Sequence, residues 1–184
     1  NQAARRQSAP PPPLRAPLSW ADSVLASLSL EEKAAQMVMV LTYGHFANES
    51  SEEFVRLSRL VTERGIGGVV LSIGDVYETV HLLNRLQERA RIPLLVSADL
   101  ERGLAMRVRR GTPFPDAMML GASRDTNLAE AVGRAIAREA RALGIHQNYA
   151  PVADVNTHPL NPVINTRAFG GDPGLVSEMA AAFI

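Results

Sequence analysis

The chain has 184 residues, with 19 Lys and Arg balanced by 19 Asp and Glu, and contains no cysteine. That length suits one ordinary domain with a real core and falls short of the ~250 residues of a complete (β/α)8 barrel. Balanced charge argues against nucleic acid as a partner, and the lack of thiols removes disulfides, thiolate nucleophiles and thiolate metal sites together.

Residues 1–18 carry four consecutive prolines, Pro10 to Pro13, and another at Pro17. Such a stretch favours a stiff polyproline tether or a disordered leader, so ordered structure is expected from Ser19 onward. Ser29 with Glu32 three residues later forms a capping-box pattern, which starts a helix leading into "MVMVL", Met37 to Leu41, read as a buried strand. A second helix is expected over Ser51 to Arg64, with Phe54, Leu57, Leu60 and Val61 on one face and Gly65 as its stop. The apolar run Gly68 to Ser72 follows as a strand, and Asp75 with Glu78 opens a helix whose Val76, Val80, Leu83 and Leu86 recur at helical spacing.

Pro93 opens "PLLVSAD", a continuous apolar run of the kind that a strand covered on both faces requires. After a long loop, Asp125 caps a helix to Leu143, with Leu128, Ala131, Val132, Ala135 and Ile136 inward and Gly144 ending it. "IHQNYAP" supplies a fourth strand, and "LVSEMAAAFI" a further helix. Strands separated by helices at spacings of roughly 25–50 residues predict right-handed parallel βαβ units. No segment reaches the ~20 apolar residues of a membrane span, so no direct membrane insertion is expected.

In parallel α/β folds, ligands gather at the carboxyl ends of the strands. Four stretches qualify: Thr42 to His45, Ser72 with Asp75, the segment from Asp99, and the segment from Asp154. Asp99 directly follows "LLVSA". Its carboxylate either accepts hydroxyl hydrogen bonds from a polyol or caps the next turn, while Arg107 and Arg167 offer planar donor forks to hydroxyl or acyl oxygens. Glu101, Arg102, Arg109 and Arg110 read as solvated charges or local ion pairs. Glu139, on the apolar face of its helix, needs a partner, and an arginine from a neighbouring loop is the expected one. The histidines at positions 45, 81, 146 and 158 lack metal-ligand spacing, and no Gly-x-Ser-x-Gly elbow is present.

The stretches "GIGGVVLS", "IPLLVSADLERGLAMR", "FPDAMMLGA", "AREARALGIHQNYAPVADVN" and "NPVINTRAFGGDP", in this order, resemble the N-terminal barrel of family 3 glycoside hydrolases. The resemblance covers about Ser29 to Ile184 and implies an α/β fold, the first four or so βα units of a (β/α)8 barrel. It implies retaining hydrolysis of terminal β-linked N-acetylglucosamine, or of glucose, with no metal or organic cofactor. It makes Asp99, Arg107 and Arg167 substrate-binding residues, with Asp154 an acid supporting the same pocket. The family's Lys-His pair, its acid/base residue and its aspartate nucleophile all lie later in the barrel than any residue here, so no catalytic residue is expected in this chain. Arg102 stands where the family commonly has Gly or an aromatic residue.

The partners implied are a carbohydrate and the remaining half of the barrel, on the same or a separate chain. A noncatalytic sugar-binding or scaffold half-barrel is the competing expectation; it would have to cover its open sheet edge. The proline tether and the family's polysaccharide substrates together suggest a periplasmic or extracellular setting.

Overall fold

The computed structural model describes residues 19–184, so the proline-rich leader at 1–18 lies outside the described residues. Among the described residues, parallel strands alternate with helices in chain order. The main sheet runs β1 (Met39–Gly44), β2 (Gly68–Asp75), β3 (Leu95–Ala98), then β5 (Gln147–Asn148), every pair parallel. A two-residue strand, β4 (Val108–Arg109), pairs with the last residues of β2. Sequential parallel neighbours joined through helices are the arrangement of the opening units of a (β/α) barrel.

Local chemistry sets the helix boundaries. Two capping boxes open the described chain: Ser19 with Asp22 starts α1 (Trp20–Ser27), and Ser29 with Glu32 starts α2 (Leu30–Gln36). In each, the hydroxyl accepts from the N3 amide while the acid accepts from the cap amide, satisfying two otherwise free backbone donors. Ser51 caps α3 (Glu52–Arg59), which continues as a π-helical turn to Arg64 and stops where Gly65 takes φ +64°, a left-handed conformation that glycine adopts at little cost. Asp75 caps α4 (Val76–Arg89), Asp125 caps α6 (Thr126–Ala142), and Asp172 caps α7 (Pro173–Phe183) with Pro173 at its first position.

The core lies between the sheet and these helices. Val69, Leu71, Val96 and Ala98 point from the strands into a layer formed by Phe54, Leu57, Leu82, Leu83 and Leu86. Each fully buried side chain of this size contributes about 1.5–3 kcal/mol of transfer free energy. A second part of the core joins Ile136 and Val132 of α6 to Met179 and Phe183 of α7. There Gly133 lets the helices approach so closely that a Cβ would sit 2.0 Å from the Phe183 carbonyl oxygen.

Several expectations need correction. β1 begins at Met39 and extends to Gly44, and it is not a buried strand: Leu41 and Tyr43 are 55% and 51% exposed. The run "PLLVSA" is covered on both faces only toward its carboxyl end: Ser97 is fully buried, but Leu95 on the same face is left 42% exposed. On α6 the inward residues are Ala129, Val132, Gly133, Ile136 and Ala140, while Leu128 and Ala131 face solvent. The buried stripe is rotated because the small residues Ala129 and Gly133, invisible to a search for large apolar side chains, allow the closest packing. On α4, Thr79 and Leu82 are buried and Val76 and Val80 only half so. The fourth main strand shrinks to two residues, and the short helix α5 (Ala117–Ser123) stands within the stretch read as a long loop.

Candidate functional site

The carboxyl ends of β2, β3 and β5 carry the charged residues. Asp99 follows β3 immediately, as its place after the apolar run requires. Its Oδ2 accepts from Arg107 Nη2 at 2.7 Å, and both side chains are partly shielded from solvent. The next turn does not take this carboxylate as a cap: the Leu100 amide donates instead to Asn148 Oδ1 at 2.9 Å, tying β3 to β5. Arg107 therefore faces Asp99 from a loop that folds back after a single 3-10 turn, Leu104–Met106. Arg107 Nε is buried and has no hydrogen-bond partner.

Glu101 points the other way along the same loop. Its two oxygens accept from Arg167 Nε at 2.9 Å and Nη2 at 2.8 Å, a two-pronged charge-assisted pair, and the Glu101 side chain is only 11% exposed. Arg167 Nη1 donates to the Val163 carbonyl. The Glu101 hydrogen bond and charge, with smaller contributions from Asp154 and Asp99, hold the Arg167 guanidinium above its ordinary range. Of the five N–H hydrogens of Arg167, three are thus engaged and two remain for another acceptor. Glu101 is the residue that sequence reasoning undervalued. It resolves to an ion pair, and its partner is an arginine 66 residues away, a separation that no local pattern encodes.

The loop carrying Arg167 is held by its own polar groups. Asn161 Oδ1 accepts the amides of Val163 and Ile164, Thr166 donates to Asp116 Oδ2 at 2.6 Å, and the Asn156 amide donates to the Gly170 carbonyl. Ala168 and Phe169 are then buried, with Gly121 of α5 packed on the Phe169 carbonyl. Anchored on both sides, Arg167 returns to the loop that follows β3. Asp154 stands apart from this arrangement. It is exposed and lies beyond the end of β5, not at a strand tip, because β5 closes at Asn148; its link to Arg167 is charge at a distance.

The structure brings together Asp99 with Arg107, and Glu101 with Arg167. Arg102 turns outward, with Nε 3.4 Å from Asp116, so it belongs to the rim. Glu139 finds no arginine: it accepts from the Thr112 amide at 3.1 Å and from the Thr112 hydroxyl. The Thr112 amide and hydroxyl give each oxygen of this half-buried carboxylate a hydrogen bond. Of the histidines, His146 bonds to β3, its Nδ1 accepting from the Val96 amide, while His45 and His81 stack on Tyr43 and Phe46. Among the described residues, no group of three or more His, Asp or Glu side chains is arranged to hold a metal ion. A cavity lined by Gln36, Ile66 and Ile92 together with Glu32, Glu63 and Arg91 lies at the opposite end of the strands, away from this charged cluster. We place the candidate site at the cluster, because it stands at the carboxyl ends of the strands, where ligands gather in parallel α/β folds.

Residues 29–184 match the glycosyl hydrolase family 3 N-terminal domain. The chain belongs to glycosyl hydrolase family 3. Similar proteins include a β-N-acetylglucosaminidase/β-glucosidase of Cellulomonas fimi, 34% identical over 167 residues that cover 91% of this chain and 28% of the relative. The β-hexosaminidase LpqI of Mycobacterium tuberculosis is 31% identical, covering 86% of this chain and 39% of the relative. Among solved structures, a family 3 β-N-acetylglucosaminidase from a Paenibacillus species superposes with a TM-score of 0.73 at 33% identity, over 86% of this chain and 30% of that one. The β-glucoside phosphorylase BglX bound to 2FGlc gives a TM-score of 0.79 at 28% identity, over 89% and 29%. The chain thus spans well under half the length of each of these relatives.

Proposed function

We propose that this family 3 chain supplies the terminal-sugar grip of a retaining β-N-acetylglucosaminidase, with Asp99, Arg107 and Arg167 binding substrate and Asp154 supporting them. The observation that carries this reading is the Asp99–Arg107 pair at the carboxyl end of β3, beside Arg167 held by Glu101. A carboxylate at that position accepts hydrogen bonds from two neighbouring sugar hydroxyls, and Arg107 keeps it oriented until a sugar arrives. The two free N–H hydrogens of Arg167 suit a hydroxyl or acetamido oxygen.

The chemical step belongs to residues outside this chain, on the remaining strands of the barrel, in the same polypeptide or a second one. There an aspartate would attack the anomeric carbon, and an acid/base residue would protonate the leaving oxygen and later activate water. No cofactor takes part in this reading, and the setting proposed is periplasmic or extracellular. Glucose is the alternative sugar, supported by the mixed name of the Cellulomonas fimi relative. A half-barrel that only binds sugar is the other alternative; it would sediment as a dimer or bind a second chain.

Two measurements test the proposal. The complete enzyme should show the higher kcat/KM on nitrophenyl β-N-acetylglucosaminide than on the glucoside, and a clear preference for glucoside would reassign the sugar. The 184-residue chain by itself should hydrolyse neither. Hydrolysis by this chain that disappears in Asp99→Ala would overturn the division of labour.

A further inference from the structure

At the tip of β2, one strand away from Asp99, a second charged group has no part in the reading above. The Asp75 side chain is only 7% exposed, and its Oδ2 faces two guanidinium groups, Arg109 Nε at 3.1 Å and Arg110 Nε at 3.3 Å. Its other oxygen accepts the Tyr77 amide and so caps α4. Burial pushes this carboxyl up, but the Arg109 hydrogen bond, the Tyr77 amide and the charges of Arg110 and Arg109 outweigh it, leaving the group below the ordinary carboxylate range.

What these contacts restrain is the loop that carries Arg107. The Gly74 amide donates to the Arg107 carbonyl at 2.9 Å, and β4 pairs Val108 with Gly74 and Arg109 with Asp75. Arg110 takes φ +75°, an unusual conformation for a residue with a side chain, and its guanidinium lies 5.6 Å from the centre of the Tyr77 ring. A non-glycine residue stays in that region only where its surroundings hold it there. Asp75, already fixed by its cap, and the Tyr77 ring are the groups that the Arg110 side chain meets there. The backbone from Arg107 to Arg109 is therefore tethered to β2, while the Arg107 side chain reaches across to Asp99 at the end of β3.

We infer that Asp75 is a positioning residue: through Arg109, Arg110 and the Gly74–Arg107 backbone bond, it sets the angle at which Arg107 meets Asp99 and the bound sugar. Asp75 touches neither sugar nor Asp99 and acts only through the loop. This inference rests on the proposed sugar-binding role of Arg107 for its kinetic part, whereas its structural part stands without it.

The test uses Asp75→Asn, because asparagine caps a helix as well as aspartate and removes only the charge facing the arginines. Its companions are Arg109→Gln/Arg110→Gln and the triple combination. On the 184-residue chain, hydrogen exchange of the Gly74 amide should quicken roughly tenfold in Asp75→Asn, while exchange of the Val80 amide, in the capped start of α4, stays unchanged. The double-arginine variant should reproduce this, and the triple variant should add nothing further, as expected for one coupled unit. In the complete enzyme, KM should rise roughly tenfold with kcat nearly constant, since a misaligned grip weakens ground and transition states alike.

Gly74 exchange that is unchanged, or that quickens in step with Val80, overturns the inference. So does additivity of the variants, or a fall in kcat at constant KM. An unmutated enzyme that cleaves neither sugar sinks the proposed function instead, and the Gly74 measurement still decides the role of Asp75.

Discussion

On the helix-covered face of the sheet, Val69, Leu71, Val96 and Ala98 are all but inaccessible, whereas on the opposite face Leu41, Tyr43 and Leu95 keep 55%, 51% and 42% of their surface. On β3 the contrast falls between neighbours: Val96 is buried, and Leu95, equally apolar, is not. Strand periodicity of two sends neighbours to opposite faces, so one face packs on α3 and α4 while the other is covered only in part, at Ser97 and Val70. An apolar run therefore records what a strand needs, not what this chain provides. In the proposed complete barrel, the second face is the one that the remaining strands enclose, and the charged loops at the strand tips form its rim.

The contrast can be broken most sharply at Leu71. Leu71→Ala, on the covered face, should lower the stability of the chain by about 3 kcal/mol, because a cavity opens in a packed layer. A urea midpoint that barely moves would show that the covered face is loosely packed.

At the rim the expected effect is smaller. Glu101→Gln removes the charge facing Arg167 and leaves it one acceptor in place of two, and kcat/KM of the complete enzyme should fall roughly tenfold while the thermal midpoint changes little. A large loss of stability with unaltered kinetics would move Glu101 from the site to the scaffold.

Smaller still is the acid sensitivity of the helix starts. Backbone and side-chain hydrogen bonds from Ser29, aided by Arg91, hold the Glu32 carboxyl below its ordinary value of 4.5, and those from Ser19 hold Asp22 below 3.8. A depressed folded-state value means stability that is present above the unfolded value and lost as pH falls through the folded one. The chain should thus lose stability as pH drops below about 4.5, from these caps and from Asp75. Glu32→Gln keeps the capping-box geometry without the titration, so its midpoint should fall less steeply across that window. An identical slope would remove Glu32 from the account.

The smallest effect belongs to the open face. Leu41→Ala should cost the 184-residue chain under about 0.5 kcal/mol, as for exposed positions generally. The same change in the complete enzyme should cost about 2–3 kcal/mol if the barrel closes over it. Equal small costs in both forms would count against barrel closure on this face.

Some features could be read from residues alone. The capping pair at Ser29, the cap at Asp75, the stop at Gly65 and the strand beginning at Gly68 depend on contacts within a few positions, and all stand where the pattern put them. Asp99 was placed at a strand tip by its position after an apolar run, which is equally local. Other features depended on long-range contacts. The inward stripe of α6 is set by Gly133 meeting Phe183, and β5 is cut short where the chain leaves β3 after the Tyr149 amide bonds to Ala98. Glu139 takes Thr112 and not an arginine because the loop after β3 happens to present an amide and a hydroxyl there.

By itself, the sequence determined the order of parallel βα units, most of their caps and the identity of the charged residues at the strand ends. Those properties follow from backbone hydrogen-bonding rules and from a periodicity that spans single elements. The tertiary structure alone decided which charges pair: Arg107 with Asp99, Arg167 with Glu101, and Asp75 with the two arginines of the β4 loop. Pairing is a matter of distance in space, and loops that cross from one strand tip to the next bring together groups that the chain keeps 8, 66 and 34 positions apart.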